Sequence, residues 1–388
     1  VPRGNPAGIK SFADLLTAKV ALANPDQAAI GKATRKALAA DGKWDALERQ
    51  VQSRGVFKTT VNEAAQDGAL GSVDGGIVWD AVARQFDDIE VIPLAELQPA
   101  KGDIAIGVLS TSHDATAALK FCRYVAASDR GLPVFEETGY TPAEGDPWQV
   151  TPELTLYAGA INRRALEPII EAFAAREGIE IVTKYNGCGI LNADIKGLFG
   201  SASGGRLPDA YVPCDRMYLA ELGELFDEQA TLSSAAIVIV TAKDNPKEIA
   251  TLADLAKPGV RVALGQPDQC TIGKLSRTLL EQAGVYDAIV ADNLATQTAT
   301  SSLLVPAVTT GAADAALVYA TDARAERNRL TIVPIDSPLA LAKQSFGVSQ
   351  KSSQKQLAHR LFDAIKRSRE SFEAAGFRWE LDEKSPRE

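Results

Sequence analysis

The most reactive side chains in this 388-residue chain are four cysteines, Cys122, Cys188, Cys214 and Cys270, and two histidines, His113 and His359. The cysteines show no CxxC spacing and are too few for a disulfide scaffold. Both histidines lie beside or within helix-patterned segments, far along the chain from any cysteine, so no Cys/His or Ser/His/Asp arrangement can be argued. Three thiolates meeting at one place would suit a soft cation such as Cu(I) or Zn(II), or an arsenic- or mercury-like thiophile, with Asp215 and Met217 close to Cys214 as further ligands. A cysteine at a helix N-terminus can also serve an oxyanion as a serine would, or act as the activated thiol of a cysteine-dependent enzyme or redox protein, with Cys188 or Cys270 as the candidates. Two blander readings stand beside these: Cys188 and Cys214 as a disulfide in an oxidising compartment, or cysteines that fill space. Cys122 falls on the apolar face of ATAALKFCRYVAA and reads as core. The GSASGG run at Gly200 follows a helix pattern and lacks the Lys-Ser/Thr of a phosphate-binding loop, so it reads as a flexible connection.

Composition narrows the field. A 46% hydrophobic and 23% charged content is that of an ordinary globular protein, long enough for two or three domains. The net charge of −9 comes with no basic stripe, which disfavours nucleic acid as a partner. The strongest apolar run, AAIVIVTA from Ala235, has the length of one buried strand and not of a membrane span. The opening VPRGNP is loop-like, with no signal peptide visible.

The elements that must position the cysteines come from a repeat. NPDQAAIGK at Asn24 returns as QPDQCTIGK at Gln266, 242 residues on; GSVDGGIVW ending at Trp79 returns as GAADAALVY ending at Tyr319, 240 on; ETGY ending at Tyr140 returns as EAAGF ending at Phe377, 237 on. Residues from about 151 to 235 have no counterpart upstream, so a partial copy over 1–140 precedes a complete unit over 151–388, joined by the turn-rich TPAEGDPW within 141–150. In the complete unit, strand patterns alternate with helix patterns: LTLYAGA, the helix from Asn162 stopped at Gly178, IEIVTKY, the helix from Leu191, DAYVP and RMYLAEL, then VRVALG, a helix from about Cys270, ADAALVY, LTIVPI, QSFGVS and a closing helix from Ser352. This is a parallel-rich α/β pattern. The first copy is expected to repeat its latter part, with strands KVALA, DGGIVW, IEVIPL and DIAIGVL and a helix from Ser112 to Ala127.

In this order and spacing the segments LYAGAINRRALEPIIEAF, YNGCGILNADI, LPDAYVPCD, the Asn245–Leu255 segment, QPDQCTIGK and GAADAALVYATDA resemble the periplasmic molybdate/tungstate-binding proteins of ABC transporters, and GNPAGIKSFADLL at Gly4 matches the family's entry into its second lobe. The resemblance implies a type 2 periplasmic-binding-protein fold: α/β, two-lobed, mixed sheets flanked by helices, here with an N-terminal partial duplicate. It implies a first lobe over about 151–240 and 336–388 and a second over about 241–335. It further implies an extracytoplasmic solute-binding protein that is not an enzyme, holds no cofactor, carries a small inorganic oxyanion as cargo and docks on a membrane subunit. Carried over position by position, the ligand-facing residues are Ala160, Ile161 and Asn162, Gly187 and Cys188, Cys270 and Thr271, Thr300 and Ser301, and Tyr319; soft-metal binding by Cys188, Cys214 and Cys270 is the alternative. Where the family places serine hydroxyls, this chain has Ile161 and Cys188, a departure that bears on molybdate itself. The first copy has Ala28 opposite Cys270 and Trp79 opposite Tyr319, so neither the thiol nor the phenol is demanded by the fold. A sensor built on the same fold is a third reading, with no signalling segment to support it.

Overall fold

The computed structural model describes residues 1–200 and 205–381. Most of the expected GSASGG loop therefore lies outside the described residues. The chain divides into two compact units, Val1–Leu109 with Tyr124–Glu144, and Ser110–Arg123 with Gly145–Glu388.

The first unit is built on a three-stranded parallel sheet in the order β2 (Val56–Lys58), β1 (Val20–Ala23), β3 (Gly75–Ile77). β1 is central and wholly buried, which is why KVALA reads as a continuous apolar run and not as an alternation. Helices Ala29–Ala40, Trp44–Ser53 and Val61–Ala69 cover it, with Leu38, Trp44, Leu47 and Val51 in the core. The entry segment GNPAGIKSFADLL has the same local solution as its repeat. Asn5, in the left-handed region at φ 46°, bridges Ile9 by exchanging two hydrogen bonds with its backbone, and Asn245, at φ 51°, does the same with Ile249. Asp14 and Asp254 then each accept two backbone N–H bonds at the start of a helical turn.

Two expected strands of the first copy do not form. IEVIPL makes only one isolated antiparallel bridge, Pro2 to Ile89, and DIAIGVL makes no ladder, leaving Ile104, Ile106 and Leu109 exposed by 65%, 46% and 77%. The second unit supplies the reason. There LTIVPI is β11 (Leu330–Pro334) and QSFGVS ends β12 (Leu341–Ser349); β11 pairs with β7 (Phe226–Ala242), and β12 pairs with β7 and β6 (Ala210–Val212). The bridge Pro2–Ile89 stands where Ala242–Leu330 stands in that ladder. Strand-forming residues without a neighbour to accept their backbone hydrogen bonds do not make a strand.

In the second unit the strand path is β5 (Glu180–Asn186), β4 (Glu153–Gly159), β6, β12, β7, β10 (Ala315–Tyr319), β8 (Val262–Gly265), β9 (Leu294–Thr298), with β11 and β13 (Arg378–Trp379) also on β7. β4 is parallel to β5 and β6, and β8 to β9 and β10; β7 runs antiparallel to all its partners. Phe226–Ala236 of β7 holds β12, and Ile237–Ala242 holds β10 and β11, so one strand serves both lobes. Helix Arg163–Glu177, closed by Gly178 in the left-handed conformation, and helix Cys188–Gly200 connect β4, β5 and β6 as parallel crossovers.

Two contacts that sequence reading missed tie the ends of this unit together. Asp146, from the expected linker, accepts the backbone N–H groups of Gln356 and Leu357 at 2.9 Å each. It thus caps helix Lys355–Lys366, whose own N-cap, Gln354, makes no side-chain cap. Ser110–Arg123, expected with the first copy, belongs with the second unit: Arg123 donates to the carbonyl and carboxylate of Glu177 at 2.7 and 3.0 Å, and Arg360 donates to the same buried carboxylate at 3.2 Å. A carboxylate this buried is tolerated because two guanidinium groups face it.

Two outcomes follow. Asp146→Ala should lower stability by about 1–2 kcal/mol, read as a reduced urea midpoint with unchanged slope. Hydrogen exchange should find the amides of residues 103–109 unprotected while those of Phe346 to Val348, the matching strand, are among the slowest in the chain.

Candidate functional site

The loops at the carboxyl ends of β4, β6 and β5 in one lobe, and of β8, β9 and β10 in the other, carry the residues singled out from sequence, the place where open α/β sheets bind ligands. Cys188 opens its helix directly after β5 and is fully buried. Cys214 follows β6, and its sulfur lies 2.9 Å from that of Cys188, while its own backbone N–H donates to the Cys188 sulfur at 3.0 Å. Both thiols are free. Room for the two sulfurs is made by Gly159 at the end of β4: a methyl group there would overlap the Cys214 sulfur and lie 2.9 Å from that of Cys188.

Cys270 is the N-cap of helix Thr271–Gln282 but does not cap it with its side chain. Its thiol is directed at the carbonyls of Gln266 and Thr298, at 3.5 and 3.6 Å. Among the described residues no group of three or more Cys, His, Asp or Glu side chains is arranged to hold a metal ion. The three-cysteine soft-metal site is thus not assembled, because the third thiol is engaged with its own lobe's carbonyls. Asp215, a suggested fourth ligand, spends its carboxylate on the backbone N–H groups of Met217 and Lys343.

Around the sulfurs is a ring of buried hydroxyls. Those of Tyr211, Thr271 and Tyr319 have no hydrogen-bond partner, although Tyr211 and Tyr319 are among the most buried large side chains. Tyr211 and Tyr218 were missed from sequence; Tyr211 sits in the strand run DAYVPCD two places before Pro213, where a tyrosine in an otherwise apolar strand was the available signal. Burial would push the Cys188 thiol up, but the backbone N–H and neighbouring thiol of Cys214, with the nearby hydroxyl dipoles of Thr271 and Tyr211, outweigh it and hold Cys188 below the ordinary thiol value. Cys214, paired with the Cys188 sulfur and buried, is driven well above that value, and burial pushes Cys270 up to about 11. Burial and the neighbouring sulfurs raise the phenols of Tyr211, Tyr218 and Tyr319, which stay protonated.

The other expected residues are placed as follows. Ala160–Asn162 form a turn of 3-10 helix after β4; Ile161 packs in the core, and the Asn162 side-chain amide donates to the carbonyls of Val212 and Pro213 while its Oδ1 is buried without a partner. Thr300 shares a hydroxyl contact with Ser302 at 2.8 Å, and Ser301 faces the buried carboxyl of Asp322, whose pKa is raised by burial against the pull of that hydroxyl and of Arg164. Gly187 is where the lobes meet: a Cβ there would overlap the carbonyl oxygen of Gln269 and lie 2.6 Å from that of Ala299. Just beyond, the N–H groups of Gly189 and Ile190 donate to the Gln269 carbonyl at 3.1 and 3.3 Å, and Lys274 pairs with Glu221 across the same opening at 2.7 Å. The cleft is shut, and the helix N-terminus expected to face an anion is satisfied by a carbonyl of the other lobe.

Two lobes strung on one shared strand, with a closed cleft lined by loops at the carboxyl ends of parallel strands, define a binding protein of the type 2 periplasmic class. The chain belongs to the bacterial extracellular solute-binding protein family, whose profile matches residues 1–141 and 154–378. It is 26% identical over 217 residues to the molybdate-binding protein ModA of Mycobacterium tuberculosis (strain ATCC 25618 / H37Rv), spanning 55% of this chain and 78% of that one. It is 24% identical over 216 residues to a putative binding protein of Haemophilus influenzae, spanning 55% of this chain and 85% of that one. Among solved structures, the sulfate-binding protein SubI of M. tuberculosis aligns at a TM-score of 0.49 with 18% identity over 58% of this chain and 86% of that one. The periplasmic molybdate-binding protein of Azotobacter vinelandii aligns at 0.47 with 16% identity over 59% and 100%.

Gly159→Ala tests the packing of the thiol pair directly. The added methyl should cost about 1–3 kcal/mol by overpacking, measured by urea unfolding, whereas Gly197→Ala, on an open helix face, should be neutral or stabilising.

Proposed function

We propose that this chain is the extracytoplasmic solute-binding component of an ABC-type importer, and that its second unit carries a small oxyanion of the molybdate or sulfate type without transforming it. The observation that carries this reading is the set of buried hydroxyls of Tyr211, Thr271 and Tyr319 left without partners beside a shut cleft. A buried donor without a partner costs about 1–3 kcal/mol. Oxyanion oxygens would satisfy several such donors at once. Opening of the cleft would withdraw the Gln269 carbonyl from Gly189 and Ile190 and free those N–H groups for the anion. No helix among the described residues is long and apolar enough to cross a membrane.

The test is calorimetric titration and melting of the reduced chain with molybdate, tungstate and sulfate. Binding of at least one should raise the melting temperature, by the equivalent of about 2.7 kcal/mol at a hundredfold excess over Kd. Tyr319→Phe should weaken that anion by about tenfold, the loss of one buried donor. Indifference to all three anions would sink the proposal. The pH dependence has a definite sign. A Cys188 thiolate repels an anion, so affinity should fall as pH rises through the depressed Cys188 pKa, and Cys188→Ser should flatten that profile.

A further inference from the structure

We propose that Cys188 and Cys214 form a dithiol site for a trivalent arsenic-type oxyacid, arsenite or antimonite, held covalently in the same cleft. This rests on the cleft being the ligand site and specifies a cargo chemistry for it. Four observations converge. The two sulfurs touch at 2.9 Å and are free. They come from different loops, one after β5 and one after β6, so the fold holds them side by side without a local motif. Gly159 clears the space they occupy. The hydroxyls of Tyr211, Thr271 and Tyr319, buried and unpartnered, lie near them.

The geometry selects among thiophiles. A two-coordinate soft cation places its sulfurs on opposite sides of the ion, which a pair in contact does not offer, and a three- or four-coordinate one needs the third ligand that Cys270 withholds. A pyramidal trivalent centre bonds two sulfurs side by side and retains one hydroxyl, for which the orphaned hydroxyls provide partners.

The step balances without an oxidant. In As(OH)3 two As–O bonds break and two As–S bonds form; each displaced hydroxide leaves as water with the proton of one thiol, and arsenic stays trivalent. The arrangement suits this, since the Cys188 sulfur accepts the Cys214 backbone N–H at 3.0 Å, which favours its thiolate and makes it the first nucleophile. The second bond forms intramolecularly, so the pair binds far more tightly than either thiol. Hydrolysis on opening reverses the sequence and releases the cargo.

The experiment uses the full chain kept reduced with a phosphine, titrated with arsenite and read by native mass spectrometry and arsenic X-ray absorption. The expected result is one arsenic per chain with two sulfurs and one oxygen around it. Cys188→Ser and Cys214→Ser should each weaken uptake by more than about tenfold, while Cys122→Ser and Cys270→Ala keep it. No adduct, an oxygen-only arsenic shell, or an adduct that survives in both Cys188→Ser and Cys214→Ser overturns the proposal. If the variants do not fold, the absorption spectrum of the wild-type chain decides alone. Molybdate, tungstate and sulfate titrations run in parallel separate the two readings. An arsenic adduct without oxyanion binding would leave the dithiol standing and remove the oxyanion, and the converse would do the opposite.

Discussion

Everything in the second unit hangs on the pairing of β7. Its seventeen residues accept β12 and β13 along their first part and β10 and β11 along their last, so the two lobes are not separate sheets in contact but two sheets sharing one strand. Leu232, Ile237, Ile239 and Val240 are buried along it, each worth about 1.5–3 kcal/mol of apolar burial, which makes the strand a rigid common axis. Register shifts between Gln344 and Ser345 and between Phe346 and Gly347 let β12 follow its twist. With the axis fixed, the loops that end β4, β5 and β6 are held opposite those that end β8, β9 and β10, and a cleft exists between them.

What fills that cleft is a compromise among polar groups that water does not reach. Sulfur, being a weak acceptor, leaves the nearby hydroxyls unsatisfied, and burial in turn keeps the phenols and two of the three thiols neutral. The carbonyl of Gln269 relieves the N–H groups of Gly189 and Ile190, and the Lys274–Glu221 pair closes the rim. Closure therefore does not rely on a bound group to satisfy the helix N-terminus, yet it leaves the hydroxyls unpaired. A cargo that meets those hydroxyls stabilises the closed cleft further, which is the energetic basis of trapping.

The partial copy works as an internal comparison. Helix Ala29–Ala40 begins at Ala28 as helix Thr271–Gln282 begins at Cys270, with the same extended N-cap backbone and no side-chain cap in either. Trp79 and Tyr319 likewise begin short helices with nearly the same backbone angles. Thiol and phenol are thus additions to an architecture that forms without them. The failure of residues 89–94 and 103–109 to become strands makes the same point from the other side: sequences of high strand propensity stay irregular where the described residues supply no counterpart of β6 and β7 to pair with.

The sequence by itself determined the α/β class, the repeat and its phase, the helices, and the loops that bear Cys188, Cys214, Cys270 and Tyr319, because hydrophobic period, turn residues and repetition are local properties of the chain. It also carried the lobe entry at Asn5 and Asn245, a solution confined to five residues. Only the tertiary structure decided which of those loops meet. The contact of Cys188 with Cys214, the turning of Cys270 toward Thr298 and the capping of a distant helix by Asp146 join residues from 26 to 211 positions apart, and Tyr211 arrives among sulfurs from separate loops. Sequence pattern records the face a residue occupies but not the partner across the fold, and it is the partner that separates a metal site from a dithiol and a strand from an irregular segment.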